Sequence, residues 1–239
     1  MELLGRAVGD FLSSHRQPLG LERDDGLLVE VPPACFIDES SGPHEEELLK
    51  RARGDVLDAG CGTGRLALRL QAAGLRVVGI DIAPALVAIA RARGLREAHV
   101  ASVWDDLGGP WDTVLLGGNN IGLAGSLSGA ARLLRHLGGA LRPQGVILVT
   151  SLDVAATTEP VHLAYHQANL RAGRDRGAVR MRVAYGDERG PWFDWLHVAP
   201  AELAQAAAGA GLAVEVISQI AGGGYGAVVR GPDGASSAA

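Results

Sequence analysis

Residues 55–82 read DVLDAGCGTGRLALRLQAAGLRVVGIDI, and this stretch decides the fold. A short apolar run, Val56-Leu57, ends in Asp58 and passes into a glycine loop, Gly60-Cys61-Gly62-Thr63-Gly64. A helical segment follows through Arg65, Leu66, Leu68 and Leu70, and a second apolar run, Val77-Val78-Gly79-Ile80, ends in Asp81. Strand, glycine turn, helix and a second strand with an acid at its tip make half of a nucleotide-cofactor site.

Working outward, the flanking chain repeats that rhythm. Pro84 to Arg93 reads as a helix, His99 to Val103 as strand three and Thr113 to Leu116 as strand four. A loop, Gly117-Gly118-Asn119-Asn120-Ile121-Gly122, follows, then a helix from Leu127 to Leu141 closed by Arg142-Pro143-Gln144-Gly145, and strand five from Val146 to Thr150. This is the pattern of a doubly wound parallel sheet. Residues 153–199 break it with a helix (Val161 to Leu170), an arginine-rich turn, an alternating strand (Val179 to Tyr185) and a further strand (Trp192 to Val198). That insertion is too long for an ordinary sheet connection and predicts a functional role. Pro200 to Ala210 resumes as a helix, Leu212 to Ile217 and Tyr225 to Val229 as the last strands with an antiparallel edge, and 231–239 as a flexible tail.

Ahead of the core, 2–14 reads as an amphipathic helix, Glu22 to Pro43 as irregular chain with a turn at Asp24-Asp25-Gly26, and Pro43 to Arg53 as a helix with acids first and bases last. The expectation is a single α/β domain, Rossmann-like. It has an N-terminal helical lid (1–53), a cofactor-binding core (54–152), the insertion (153–199) before the final helix, and the completion of the core (200–230).

The chain has 239 residues and a formal charge of -5, which gives no electrostatic case for nucleic-acid binding. Its two cysteines, Cys35 and Cys61, fit no metal pattern and point to a reducing compartment. The N-terminus has no signal-peptide character and no run approaches membrane-spanning length, so the expected home is the cytoplasm, as a monomer or homodimer.

The glycines are spaced GxGxG, whereas the dinucleotide fingerprint is GxGxxG. Asp58, at the tip of strand one, would repel a pyrophosphate but suits a cationic amino group. Asp81 can accept from both ribose hydroxyls. An ammonium on one acid and a ribose on the other describe S-adenosylmethionine (SAM) better than NAD. The structural alternative is that the glycines merely form a tight turn.

The stretch 55–82, with Trp104 to Gly122 and Leu141 to Ser151, resembles the class I SAM-dependent methyltransferases. Nearly the whole chain is similar to a small actinobacterial-type group of these enzymes, through Asp24-Asp25-Gly26, VLDAGCGTGR, Leu70 to Gly74, Asp112 to Leu115, Gly118 to Gly122, HLAYHQANLRAGR at 162–174, Arg180-Met181-Arg182 and Pro191 to Trp195. The resemblance implies a seven-stranded sheet with its last strand antiparallel and SAM across the C-terminal strand ends. It places Asp58 and Gly60 near the methionine end, Asp81 on the ribose and Ile82 against adenine, with Cys61, Gly62 and Gly64 of the loop also cofactor-binding. Ser102, followed by Val103 and Trp104, stands where many relatives carry an acid for the adenine amino group. Ser102 and Trp104 serve the ligand or are core and rim residues. Cys61 reads as a packed side chain rather than a nucleophile.

Methyl transfer needs alignment, desolvation and, for a weak nucleophile, proton removal. Asn119 and Asn120, after strand four, either orient a polar acceptor or cap the next turn. On the helix 161–170, His162 and His166 are four apart, as are Tyr165 and Asn169, which makes adjacent stripes. His166 or Tyr165 is the candidate base. His162 is an acceptor contact or a solvent-facing residue, and two histidines without an HExxH glutamate predict no metal. Arg180 and Arg182 share a strand face; they clamp an anionic group on the acceptor or pair with Asp187, Glu188 or acids of the lid. Trp192 and Trp195 wall a pocket or pack the insertion. The leading expectation is methyl transfer to oxygen or nitrogen of a small-molecule acceptor, as in specialised metabolism. The competing ones are an RNA or peptide methyltransferase, an NAD(P) oxidoreductase and a SAM-binding protein without catalysis.

Overall fold

The computed structural model describes residues 1–231, so the expected tail lies, Gly231 apart, outside the described residues. In chain order, α1 (Glu2–Leu12) leads to β1 (Leu19–Arg23), β2 (Leu28–Glu30) and α2 (Pro43–Leu49). The alternation β3 (Asp55–Ala59), α3 (Arg65–Ala72), β4 (Arg76–Asp81), α4 (Pro84–Ala92), β5 (Glu97–Val100), β6 (Trp111–Leu116), α5 (Leu127–Gly139) and β7 (Leu141–Leu152) follows. Then come α6 (Pro160–Arg171), β8 (Ala178–Tyr185), β9 (Glu188–Arg189), β10 (Phe193–Leu196), α7 (Pro200–Gly209), β11 (Ala213–Gln219) and β12 (Gly224–Arg230).

Seven strands form the main sheet in the order β11-β12-β7-β6-β3-β4-β5. The strands β3 to β7 pair in parallel, and β12 is antiparallel to both β7 and β11. The last strand is therefore the antiparallel one, as expected, but it lies inside the sheet. The tight turn before Gly224 folds it back between β7 and β11, and β11 takes the edge. Both faces of the sheet are covered, by α5 and α7 on one side and by α2, α3 and α4 on the other, which is why Val56-Leu57 of β3 and Val146 to Val149 of β7 are apolar at consecutive positions.

Several boundaries differ from the sequence expectation, among them the helix expected over Pro43 to Arg53, which ends at Leu49 and leaves Lys50, Arg51 and Arg53 beyond its last turn. Strand three ends at Val100, and Ser102 already turns away, its N–H donating to Asp105 Oδ2 at 2.8 Å. The helix expected to reach Leu141 stops at Gly139, because Leu141 pairs with Trp111 and begins β7; the Arg142 to Gly145 stretch is absorbed as an irregularity within that strand.

The larger correction concerns Glu22 to Pro43, expected to be irregular. β1 and β2 form a hairpin around the Asp24-Asp25-Gly26 turn, and β1 pairs along its length with β8, Leu21 opposite Val183. With β10 and β9 on β8, the N-terminal segment and the insertion make one antiparallel sheet of five strands. Helix α1 fastens it to the core by packing Leu4, Ala7 and Val8 against Ala83 and Leu86 of the α4 end and against Val183 and Tyr185 of β8. Two separate expected pieces are thus one roof.

Candidate active site

A cavity of 1030 Å³ opens at the C-terminal tips of β3 and β4 and continues beneath the second sheet. Its first end is acidic. Asp58 is only 3% exposed, and its carboxyl is pushed up to about 7, first by burial and then by Asp81 beside it, against the opposing pull of Arg65. Asp81 Oδ2 accepts from Gly62 N–H and Oδ1 from Ala83 N–H, both at 2.9 Å, yet burial still raises its pKa. Arg65 is committed to Glu45 at 2.9 Å, and among the described residues neither Asp58 nor Asp81 makes an ion pair. A buried and a half-buried acid, neither of them in an ion pair, create a potential that suits a cation.

The glycine loop lets the backbone approach this end. Gly60 has φ +85, and a Cβ there would stand 2.5 Å from Asn120 Nδ2. That amide donates to Ala59 O at 3.0 Å and Gly60 O at 2.7 Å, so Asn120 ties the loop after β6 to the tip of β3. Asn119 takes a left-handed conformation and its N–H donates to Thr150 Oγ1 at 2.9 Å. Both asparagines border the cavity, as do Gly62 and Cys61, whose thiol burial holds protonated. Gly64, Ile82, Ser102, Val103 and Trp104 do not. Gly64 starts α3 against Ala90 and Leu95, Ile82 is 57% exposed, Val103 is in the core, Ser102 Oγ accepts from Trp104 N–H at 3.2 Å, and the Trp104 ring stacks on His136.

The far end is apolar and lined by imidazoles. On β8 the alternation turns Val179 and Met181 toward the cavity and Arg180 and Arg182 away from it. Arg182 pairs with Glu22 at 2.7 Å and covers the Trp192 ring at 4.5 Å; Glu22 also holds Arg189 at 2.8 Å. The structure therefore does not bring Arg180, Arg182 or Trp192 to this cavity. Trp195 does border it, lying against Gly122.

His162 and His166 of α6 both line the cavity, whereas Tyr165 does not. The Tyr165 hydroxyl donates to Asp24 Oδ1 at 2.7 Å and accepts from Arg180 N–H at 3.3 Å, and burial with Asp24 raises its pKa, so it is a poor base. Burial, then His162, Arg23 and Arg176, keep His166 below the usual histidine range. His197 and Arg23 also line the cavity and escaped the sequence reading. Burial and His166 push His197 down to about 4, and its buried Nδ1 has no partner. Strand parity was the available signal, since 193, 195 and 197 fall on one face. Among the described residues no group of three or more metal-ligating side chains converges, and no helix is long and apolar enough to cross a membrane.

A family model described as a methyltransferase domain matches residues 41–216. The crystal structure of a SAM-dependent methyltransferase from Bacteroides fragilis in complex with S-adenosyl-L-homocysteine (SAH) is similar at a TM-score of 0.83 and 28% identity, over 96% of this chain and 94% of that one. The CcbJ methyltransferase from Streptomyces caelestis is similar at 0.58 and 18% identity, over 81% of this chain and 92% of that one. A SAM-bound amino pentose methyltransferase of calicheamicin biosynthesis from Micromonospora echinaspora gives 0.53 and 19%, over 86% of this chain and 98% of that one. These last two likenesses are of fold.

Proposed function

The chain belongs to the class I SAM-dependent methyltransferases, and on that footing we propose that it methylates an oxygen or nitrogen of a small-molecule acceptor bound in the same cavity as SAM. One observation carries this: a single cavity joins an uncompensated acidic end to an apolar, imidazole-lined end. SAM supplies an electrophilic methyl group on a sulfonium. The residues of the acidic end fit that cofactor's chemistry, Asp58 facing its ammonium, Asp81 its ribose and the Gly60–Gly62 turn its approach to the backbone.

At the other end, Trp195 and Phe193 exclude water and hold the acceptor against the methyl donor. His166 takes the acceptor's proton where the nucleophile must lose one, because it borders the cavity and burial keeps it free of a resident proton. Asn119 and Asn120 hold the floor between the two ends. Ile82, Ser102, Val103 and Trp104 keep a proposed place around the adenine side, outside the enclosed part of the cavity, and Gly64 keeps one in the glycine loop. The enclosure, the net charge and the amino pentose methyltransferase among the structural neighbours support a small molecule over RNA or peptide. Calorimetry tests the cofactor end: SAM should give binding heat and NAD none. Binding unchanged in a variant with both Asp58→Ala and Asp81→Ala would overturn the assignment of these acids.

A further inference from the structure

The Asp24-Asp25-Gly26 turn has no part in the site so far, yet it builds a device at the acceptor end. Arg23, at the end of β1, is 8% exposed. Its Nε and Nη2 donate to the two carboxylate oxygens of Asp25 at 2.8 and 2.7 Å. Its Cζ lies 3.9 Å from the centroid of the Tyr165 ring, and the Tyr165 hydroxyl is anchored on Asp24. Held this way, the guanidinium presents Nη1 3.1 Å from His162 Nδ1.

A guanidinium has donors only. His162 Nδ1 must therefore accept, and the ring carries its hydrogen on Nε2. Arg23 and His162 both border the cavity, and on the same sheet face Arg23 pairs in register with Met181, which pairs in turn with Phe193. An N–H fixed in an apolar wall disfavours a ligand that brings no lone pair and favours one that does.

We propose that Asp25 and Arg23 are positioning residues that hold His162 as a hydrogen-bond donor, through Nε2–H, to an oxygen of the acceptor. The acceptor is then a largely apolar molecule with a carbonyl, ether or hydroxyl oxygen at this point. The proposal rests on the acceptor end assigned above and narrows its substrate class.

The test uses the full chain saturated with SAH and two probes of similar shape, acetophenone and ethylbenzene. Nitrogen NMR of the ring should show the Nε2–H form of His162 in the wild type, and acetophenone should shift that signal. The affinity ratio of acetophenone to ethylbenzene should fall roughly five-fold in His162→Phe, the loss of one net hydrogen bond. It should survive in His162→Gln, whose amide oxygen can accept from Arg23 while its NH₂ donates onward. In Arg23→Met the ring should no longer be confined to one tautomer. An Nδ1–H ring in the wild type, or an unchanged ratio in His162→Phe, would overturn the proposal. Failure of the wild type to bind SAH would instead fail the cofactor assignment, and the ring spectrum would still decide the tautomer.

Discussion

Asp58→Asn should make the ligand-free protein more stable at alkaline pH and a weaker binder of SAM. The folded chain holds this carboxyl at about 7 against an ordinary 3.8. A raised carboxyl pKa means that the folded state keeps a proton the unfolded state has lost. Its contribution to stability is thus fully present below about pH 4, declines as pH rises and is lost above about pH 7. At about 1.4 kcal/mol per pH step the full interval corresponds to ~4 kcal/mol. The asparagine amide needs partners of its own, which reduces the gain to ~2–4 kcal/mol. Urea unfolding of both ligand-free proteins near about pH 4.5 and about pH 8 reads the effect. The stability difference should move toward the variant by ~3 kcal/mol between these pH values, because the cost of the amide does not depend on pH and groups common to both proteins cancel. Ligand reverses the order. SAH carries the same ammonium as SAM, and wild-type affinity for it should rise roughly 50-fold between about pH 5 and about pH 7.5 as Asp58 ionises. The variant should bind SAH more weakly and without that slope. A stability difference independent of pH, with equal slopes for SAH, would refute the view of Asp58 as a strained acid awaiting a cation.

A Cβ at Gly122 would stand 2.3 Å from Trp195 Nε1, so Gly122→Ala should drive the indole into the cavity, with a stability loss of ~1–3 kcal/mol. Methyl transfer should collapse in that variant while SAH affinity stays within about two-fold by calorimetry. His166→Ala should retain SAH affinity and lose roughly 100-fold or more in transfer rate if the acceptor must be deprotonated. Unchanged single-turnover rates would remove it as the base. Arg182→Ala should leave transfer unchanged and lower stability by no more than ~1 kcal/mol in urea melts, since Arg182 pairs with Glu22 on the face turned from the cavity. A marked rise in acceptor KM would restore the anion clamp that the strand parity argues against.

The β3-α3-β4 unit and the acids at its tips were legible because their signals are local. Turn glycines, strand-tip acids and helix spacing within 55–82 report on atoms that are close in sequence and in space. The roof was not, because β1 finds its partner β8 about 160 residues away, and three exposed residues of β2 carry no alternation that marks a strand. Period-two reasoning correctly put Arg180 and Arg182 on one face, but parity alone does not say which face meets the cavity. The apolar Val179, Met181 and Val183 were the better guide, since an enclosed surface is where apolar side chains go. His162 was named from its helix stripe, yet its tautomer depends on Arg23, which only the hairpin brings near. Ser102 and Trp104 lie just past a strand end that falls two or three residues earlier than apolarity suggests.

The most direct test of the whole account is incubation of the protein with methyl-labelled SAM and an extract of the source organism, followed by separation of metabolites, RNA and protein. The account predicts label in a discrete small molecule bearing an apolar body, dependent on the wild-type chain and lost in Gly122→Ala. Label confined to RNA or protein, or no transfer by a chain that binds SAM, would contradict it.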